Sequence, residues 1–284
     1  MIVTRLIGGL GNQMFQYAAG RALALRHGVD LKLDRRAFDH YGLRGYGLEA
    51  FALTPVDAEA QDIPPARGPS RLRRMLGGQP HTYRLSERSL RFDPAVLNAP
   101  RGAYLDGYWQ SERYFTDHAA AIRADFVITA PPAPPNADML ARIAGARTVS
   151  IHVRRGDYVS NPEALAVHGT CPPNYYAAAV ELLQSRVGAD LLGVVFSDDH
   201  AWARANLKLP IPTLHADQND AATAHEDLRL MSACRHHIVA NSTFSWWGAW
   251  LDPRPESLVI APRRWFAAPH MDATDLVPER WLRI

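Results

Sequence analysis

Two adjacent arginines, Arg154 and Arg155, follow the apolar run "TVSI" inside the heptapeptide "HVRRGDY" at residues 152–158. A guanidinium is permanently charged and grips phosphate or carboxylate oxygens through a planar fork. Buried at the edge of a core without a partner it would cost several kcal/mol, so an anion must answer it. Side chains alternate faces along a strand. His152 and Arg154 therefore point one way, and Val153 and Arg155 the other. An internal bridge from Asp157 accounts for one arginine and leaves the second for a ligand.

Three more stretches carry the same kind of chemistry. "FSDD" ends in Asp198 and Asp199, which follow an apolar run and open a helical one. One of the pair suits a helix cap, and the other can accept hydrogen bonds from the N–H groups of a ligand. A divalent cation needs several oxygens at one point, and the sequence offers no second acid cluster to converge with this one. "NSTFSWWGAWL" places Asn241, Ser242, Thr243 and Ser245 before and within the start of a helix, where amides and hydroxyls form an anion cradle. Its tryptophans, Trp246, Trp247 and Trp250, suit the wall behind that cradle. The sequon "NST" beside a strand end, in a chain with no secretion signal, is set aside. "GGLGNQ" supplies Gly8, Gly9 and Gly11 for a tight turn and Asn12 as a cap for the helix after it. Gly9, Gly11 and Asp34 also match part of a dinucleotide fingerprint, but Met14 stands where its third glycine belongs. Finally, in "YLDGYWQSERYF" at 104–115, Tyr108 and Trp109 can stack on a sugar face while Gln110 and Ser111 bond its hydroxyls, or the stretch can serve as core.

The elements that must position these residues follow from the apolar pattern. The second half alternates strand and helix: "TVSIHV", "PNYYAAAVELLQSRVG", "LLGVVFS", "DDHAWARANL", "IPTLHA", "AHEDLRLMSACR", "HHIVA", "STFSWWGAWL" and, as a last strand, "SLVIAP". Such alternation predicts a parallel sheet covered on both faces. Ligands bind outside the carboxyl ends of such strands, where "RRGD", "SDD" and "NSTFS" all fall. The first half begins the same way, with strand "IVTRLI", a turn, helix "MFQYAAGRALALRHG" and strand "VDLKLD", then loses its regularity. "PPAPP" at 131–135 reads as a stiff linker and sets two domains, 1–135 and 136–284. Residues 62–80, rich in Pro, Gly and Arg, read as a surface loop.

With 284 residues, 47% of them hydrophobic and 21% charged, the chain is an ordinary globular one. A net charge of +2 gives no footprint for nucleic acid. Two cysteines without a CxxC support neither zinc nor a disulfide framework and fit a reducing compartment. The N-terminus lacks the basic and long apolar regions of a signal peptide, and no run approaches the ~20 apolar residues of a membrane span. The expectation is a cytoplasmic protein.

Taken together and in this order, "IGGLGNQMFQYA", "YLDGYWQSERYF", "HVRRGDY", "FSDD" and "NSTFSWWGAWL" resemble the inverting α1,2-fucosyltransferases of glycosyltransferase family eleven. "HxRRxD" is shared, more loosely, with α1,6- and protein O-fucosyltransferases. The resemblance implies two Rossmann-like domains in a GT-B-like architecture, an N-terminal acceptor-side domain and a C-terminal domain binding GDP-L-fucose. It implies Arg154 on the β-phosphate with Arg155 and Asp157 in support, and Asp199 on guanine. His152, Asn241, Ser242, Thr243 and Ser245 fall around phosphate and ribose, and Gly9, Gly11 and Asn12 at the reaction centre. Tyr108, Trp109 and Gln110 would meet the acceptor, a terminal β-galactoside. No metal or cofactor is required. Animal members carry an N-terminal anchor that this sequence lacks, which favours a bacterial-type enzyme whose acceptor is lipid-linked. Arg67, Arg71, Arg73 and Arg74 either belong to a solvated surface loop, the commoner case, or touch an anionic membrane or a lipid diphosphate. The rivals are transfer in another linkage, a non-catalytic nucleotide-sugar or glycan-binding protein, and an NAD-dependent oxidoreductase.

Overall fold

The structure is a computed structural model and describes residues 1–40, 45–53, 56–65 and 82–284. The chain divides into two compact units: Met1–Val127 with Thr274–Leu276, and Ile128–Ala273 with Val277–Ile284. The prolines read as a linker do something more specific. Pro134 and Pro135 fill the first positions of a helix, where a missing N–H costs nothing.

The N-terminal unit is built on a parallel sheet of β1 (Ile2–Arg5), β2 (Leu31–Asp34), β3 (Val56–Asp57), β4 (Tyr83–Ser86) and β5 (Ala103–Asp106), in the order β3-β2-β1-β5-β4. Helix α1 (Leu10–His27) packs on β1 and β2, and α2 (Ala119–Asp125) packs against α1. Helix α1 starts earlier than the sequence suggested. Gly9 is its N-cap, so Asn12 lies inside the first turn and does not cap it.

The C-terminal unit carries β6 (Thr148–Val153), β7 (Leu192–Ser197), β8 (Thr213–His215), β9 (His236–Ile238), β10 (Val259–Ala261) and β11 (Leu282–Arg283). They form one parallel sheet in the order β11-β10-β9-β6-β7-β8. Around it run α3 (Pro134–Ala144), α4 (Gly156–Ser160), α5 (Pro162–His168), α6 (Pro173–Val187), α7 (His200–Asn206), α8 (Ala224–Ala233) and α9 (Thr243–Trp250).

Both faces of this sheet are covered, as the continuous apolar strands require. Val149, Ile151, Val153 and Val195 pack with Tyr176, Ala179, Val180 and Leu183 of α6. Val194 and Phe196 pack on the other face with Met139 and Ile143 of α3 and Leu230 and Met231 of α8. "SLVIAP" is not the last strand: β11 pairs parallel to β10, Leu282 opposite Ile260. Helices α4 and α5 were likewise not foreseen.

Candidate active site

Each sheet has a point where the strand order reverses, and parallel sheets open a crevice there, outside the strands' carboxyl ends. In the C-terminal unit it lies between β6 and β9. Arg154 and Arg155 follow β6 directly, and residues 239–242 lead from β9 into α9. In the N-terminal unit it lies between β1 and β5, whose ends carry the glycine turn and the "GYWQ" segment.

Both arginines are answered by carboxylates. Nη1 of Arg154 donates to Oδ2 of Asp198 at 2.5 Å, and Nη2 donates to Oδ1 of Asp157 at 2.5 Å. The backbone N–H of Arg155 donates to Oδ1 of the same Asp198 at 2.8 Å. Nε of Arg155 reaches Oδ2 of Asp199 at 3.4 Å, and its guanidinium sits 3.8 Å above the ring of Trp202. This corrects the expectation that Asp157 would settle one arginine and leave the other unpaired. A half-desolvated guanidinium needs counter-charge, and the "SDD" corner supplies it twice. Asp198 comes this near because residue 156 is glycine: a Cβ there would lie 2.5 Å from Oδ2 of Asp198. The Arg154 guanidinium lies 5.0 Å from the Tyr158 ring, which stacks on His168 at 4.4 Å.

Asp199 caps α7, its Oδ1 accepting from the Trp202 amide at 3.1 Å. The capping acid of the pair is thus the one that the resemblance gave to guanine, and Asp198 is tied to the arginines.

The α9 cradle divides into inward and outward parts. Ser242 is the N-cap, its hydroxyl accepting from the Phe244 amide at 3.3 Å. Ser245 is buried and donates back to the Ser242 carbonyl at 3.3 Å. Thr243 opens the helix and is partly exposed. Asn241 turns inward: its Nδ2 donates to the carbonyls of His168 at 2.9 Å and Trp265 at 3.2 Å, and its Oδ1 faces the Cys171 thiol. Its side-chain N–H groups tie the segments behind the rim together. Trp246, Trp247 and Trp250 are buried and pack edge-on or stacked, together with Trp281.

His152 is 6% exposed and its ring lies 5.7 Å from Phe244 in the first turn of α9. Burial pushes its pKa down to about 4, opposed by Asp198 and assisted by Arg154, so the ring is neutral at pH 7. Its Nδ1 is buried without a hydrogen-bond partner. Such orphaned atoms are rare in folded proteins.

On the N-terminal unit's rim, Gly8 takes the left-handed backbone (φ +87°) that the turn requires. Gly9 is extended and Gly11 is buried in the first turn of α1. Two glutamines that the sequence reading passed over hold the turn. Oε1 of Gln16 accepts from the Ile7 amide at 2.9 Å, and Nε2 of Gln13 donates to the carbonyls of Gly8 and Gly45 at 2.9 Å. Asn12 accepts from Nε2 of Gln110 at 3.0 Å, a bond that spans the reversal point. Trp109 is 1% exposed and packs edge-on to Tyr114, so it cannot stack on a sugar; Tyr108, 38% exposed, can. Glu87, directly after β4, accepts from the amides of both Tyr108 and Trp109. Asp34 is consumed internally by Arg36 and the Tyr104 hydroxyl, the latter at 2.7 Å. A ribose finds no acceptor there, which removes the structural basis of the NAD reading.

Among the described residues no group of three His, Cys, Asp or Glu side chains converges as a metal site. No described helix is long and apolar enough to cross a membrane. Arg67, Arg71, Arg73 and Arg74 lie outside the described residues.

Two Rossmann-like α/β units, each with its polar residues at a strand-order reversal, are the fold pair of GT-B glycosyltransferases. A variant of Arabidopsis thaliana FUT1 solved in complex with GDP shares this fold (TM-score 0.53, 12% identity, 91% of this chain and 69% of that one). The sequence profile of Glycosyl transferase family 11 matches residues 84–284, and the chain belongs to that family. Alpha-1,2-colitosyltransferase of Escherichia coli is 36% identical over 100% of this chain and 99% of its own length. The O-antigen biosynthesis glycosyltransferase WbnK of Escherichia coli is 30% identical over 98% and 99%. Bos taurus galactoside 2-alpha-L-fucosyltransferase SEC1 is 28% identical over 86% of this chain and 62% of its own.

Proposed function

We propose that this protein transfers L-fucose from GDP-β-L-fucose, with inversion, to the 2-hydroxyl of a terminal galactoside. The observation that carries the reading is that the Arg154 fork follows β6 and the N-terminal turn of α9 follows β9, the two strands that flank the reversal. Breaking the C1–O bond of such a donor leaves negative charge on the departing diphosphate. Fixed donors aimed at that charge lower the barrier. Arg154 and the first-turn amides of α9 are donors of this kind, and no metal is needed in this scheme. A diphosphate that takes Arg154 exchanges places with the carboxylates of Asp157 and Asp198, which are anions held in the same fork. His152, neutral and with Nδ1 unpaired, is suited to the nucleotide. Asp199, cap included, keeps lone pairs that can accept from guanine.

The α1,2 linkage is supported by relatives from both bacteria and mammals whose names carry it. A galactoside acceptor rests on the mammalian names alone. The WbnK likeness supports an O-antigen oligosaccharide as acceptor; that it is lipid-linked and met at the inner face of a bacterial membrane is part of our proposal and has no support from that name. Co-sedimentation with anionic liposomes that survives neutralisation of Arg67, Arg71, Arg73 and Arg74 would remove that contact.

A second donor has its own support. The 36% identity to a colitosyltransferase over the full chain favours GDP-colitose, whose sugar is fucose without the 3-hydroxyl. Initial rates with GDP-fucose and GDP-colitose on one galactoside decide between them. A higher kcat/KM for GDP-colitose overturns the fucose assignment and leaves the linkage standing.

A further inference from the structure

Trp109 is the one described non-glycine residue with a left-handed backbone, φ +56°. For a large side chain that conformation is unfavourable and persists only when its surroundings impose it. The imposing group is Glu87. Its Oε2 accepts from the Tyr108 amide at 2.7 Å and its Oε1 from the Trp109 amide at 2.9 Å. Consecutive amides thus converge on one carboxylate, which closes the turn. Glu87 stands there because its own amide continues the sheet, donating to the Asp106 carbonyl at 2.9 Å. The approach is open because residue 107 is glycine: a Cβ there would lie 2.4 Å from Cβ of Glu87 and 3.0 Å from Cε2 of Trp109.

The turn has directional consequences. The Trp109 indole goes into the interior, with Nε1 buried and unpartnered. Tyr108 on one side of it is left exposed, and Gln110 on the other is aimed across the β1/β5 reversal at Asn12. An exposed aromatic ring beside a fixed amide pair is what a pyranose needs, since its apolar face stacks and its hydroxyls bond. A connection between strand and helix needs none of this: not a strained tryptophan, a desolvated carboxylate or an unpaired indole N–H. Strain of this kind gathers where geometry must be held for a ligand.

We infer that Glu87 is a positioning residue for the acceptor sugar, acting through the Tyr108 and Trp109 amides to set the Tyr108 ring and the Gln110–Asn12 pair at the β1/β5 reversal. This rests on the reading that the N-terminal unit receives the acceptor. Burial raises the Glu87 pKa, with the two amide bonds opposing, and the carboxylate form is the one that accepts from both.

Glu87→Gln tests it, because the isosteric amide presents an NH2 where an acceptor is required. In GDP-release assays the acceptor KM should rise about tenfold or more in Glu87→Gln. The donor KM and acceptor-free donor hydrolysis should stay within about twofold. Gly107→Ala, which pushes Glu87 away, should give the same split. A merely structural role would lower both donor and acceptor parameters together, and that outcome, or an unchanged acceptor KM, overturns the inference. Saturation-transfer-difference NMR with lactose needs no donor. Its signal should be present in the wild type and lost in Glu87→Gln and in Tyr108→Ala. If the wild type binds lactose in this way yet releases no GDP from either sugar nucleotide, the transferase reading fails and the Glu87 assignment stands. If the lactose signal is indifferent to Glu87→Gln, the assignment fails whatever the enzyme transfers.

Discussion

Replacing Arg154 with lysine keeps the charge and removes the fork. The arginine donates from Nη1 and Nη2 to two different carboxylates at once, with Asp198 and Asp157 each at 2.5 Å. A bidentate grip on two phosphate oxygens uses the same two Nη donors. An ammonium on a shorter, rotatable head retains a point charge and forfeits the planar pair of bonds. Losing one preorganised donor to a developing oxyanion costs about 3 kcal/mol, roughly a hundredfold or more in rate. The cost to folding is far smaller. Asp157 and Asp198 are 49% and 27% exposed at the side chain, so water and the lysine keep them satisfied, at up to about 1 kcal/mol. The expected result is a kcat for coupled GDP release that falls about a hundredfold or more, with a urea midpoint close to wild type. Turnover near the wild-type value in Arg154→Lys would refute the reasoning, because fork geometry would then be irrelevant.

Three further outcomes follow from the same geometry. Asn241→Asp should destabilise the protein by about 1–3 kcal/mol in urea titrations, because the acid has no N–H to offer the buried carbonyls of His168 and Trp265; an unchanged midpoint would contradict the inward placement. Asp199→Asn should keep the α7 cap and hence the melting temperature, since Asn caps as well as Asp. It should also weaken preference for GDP over ADP in competition binding, and unaltered preference would leave Asp199 as a cap only. Burial holds His152 and His236 at about 4, below the ~6.5 of an exposed histidine, so stability is intact above pH 6.5 and is lost as pH falls toward 4. A urea midpoint that is flat between pH 6.5 and 4.5 would show that these rings are already solvated.

The C-terminal unit was legible because its strands are uninterrupted. "TVSIHV" and "LGVVFS" are buried nearly throughout, so composition alone separates them from the amphipathic helices between. The N-terminal unit faded after Asp34 because β3 has two residues, both exposed, and the residues of β4 are half-buried or exposed. No apolar period exists there to read. The arginine pair was legible as a rim, since a charge after a buried run has few places to go. Its partners were not: Asp198 lies 44 positions from Arg154 and meets it only through the register of β6 on β7. Asn12 does not cap its helix, and the inward bonds of Asn241 carry no sequence signal, for one simple reason. An asparagine near a helix start is equally suited to capping, to lining a site or to tying loops together, and only the neighbours choose. Glu87 gave no signal at all, because one glutamate after a short strand looks like any surface residue until Gly107 and the left-handed Trp109 are placed against it.

The central claim is α1,2 transfer of a fucosyl-type sugar from a GDP donor to galactose. The purified protein, given GDP-fucose or GDP-colitose and a small panel of β-galactosides, tests it when GDP release is followed and the product's linkage is read by NMR. The account predicts stoichiometric GDP release on adding a galactoside. It also predicts a product whose new anomeric proton, in the α configuration, correlates with C2 of galactose. Binding of GDP without transfer, or a product joined through any other hydroxyl, would contradict it.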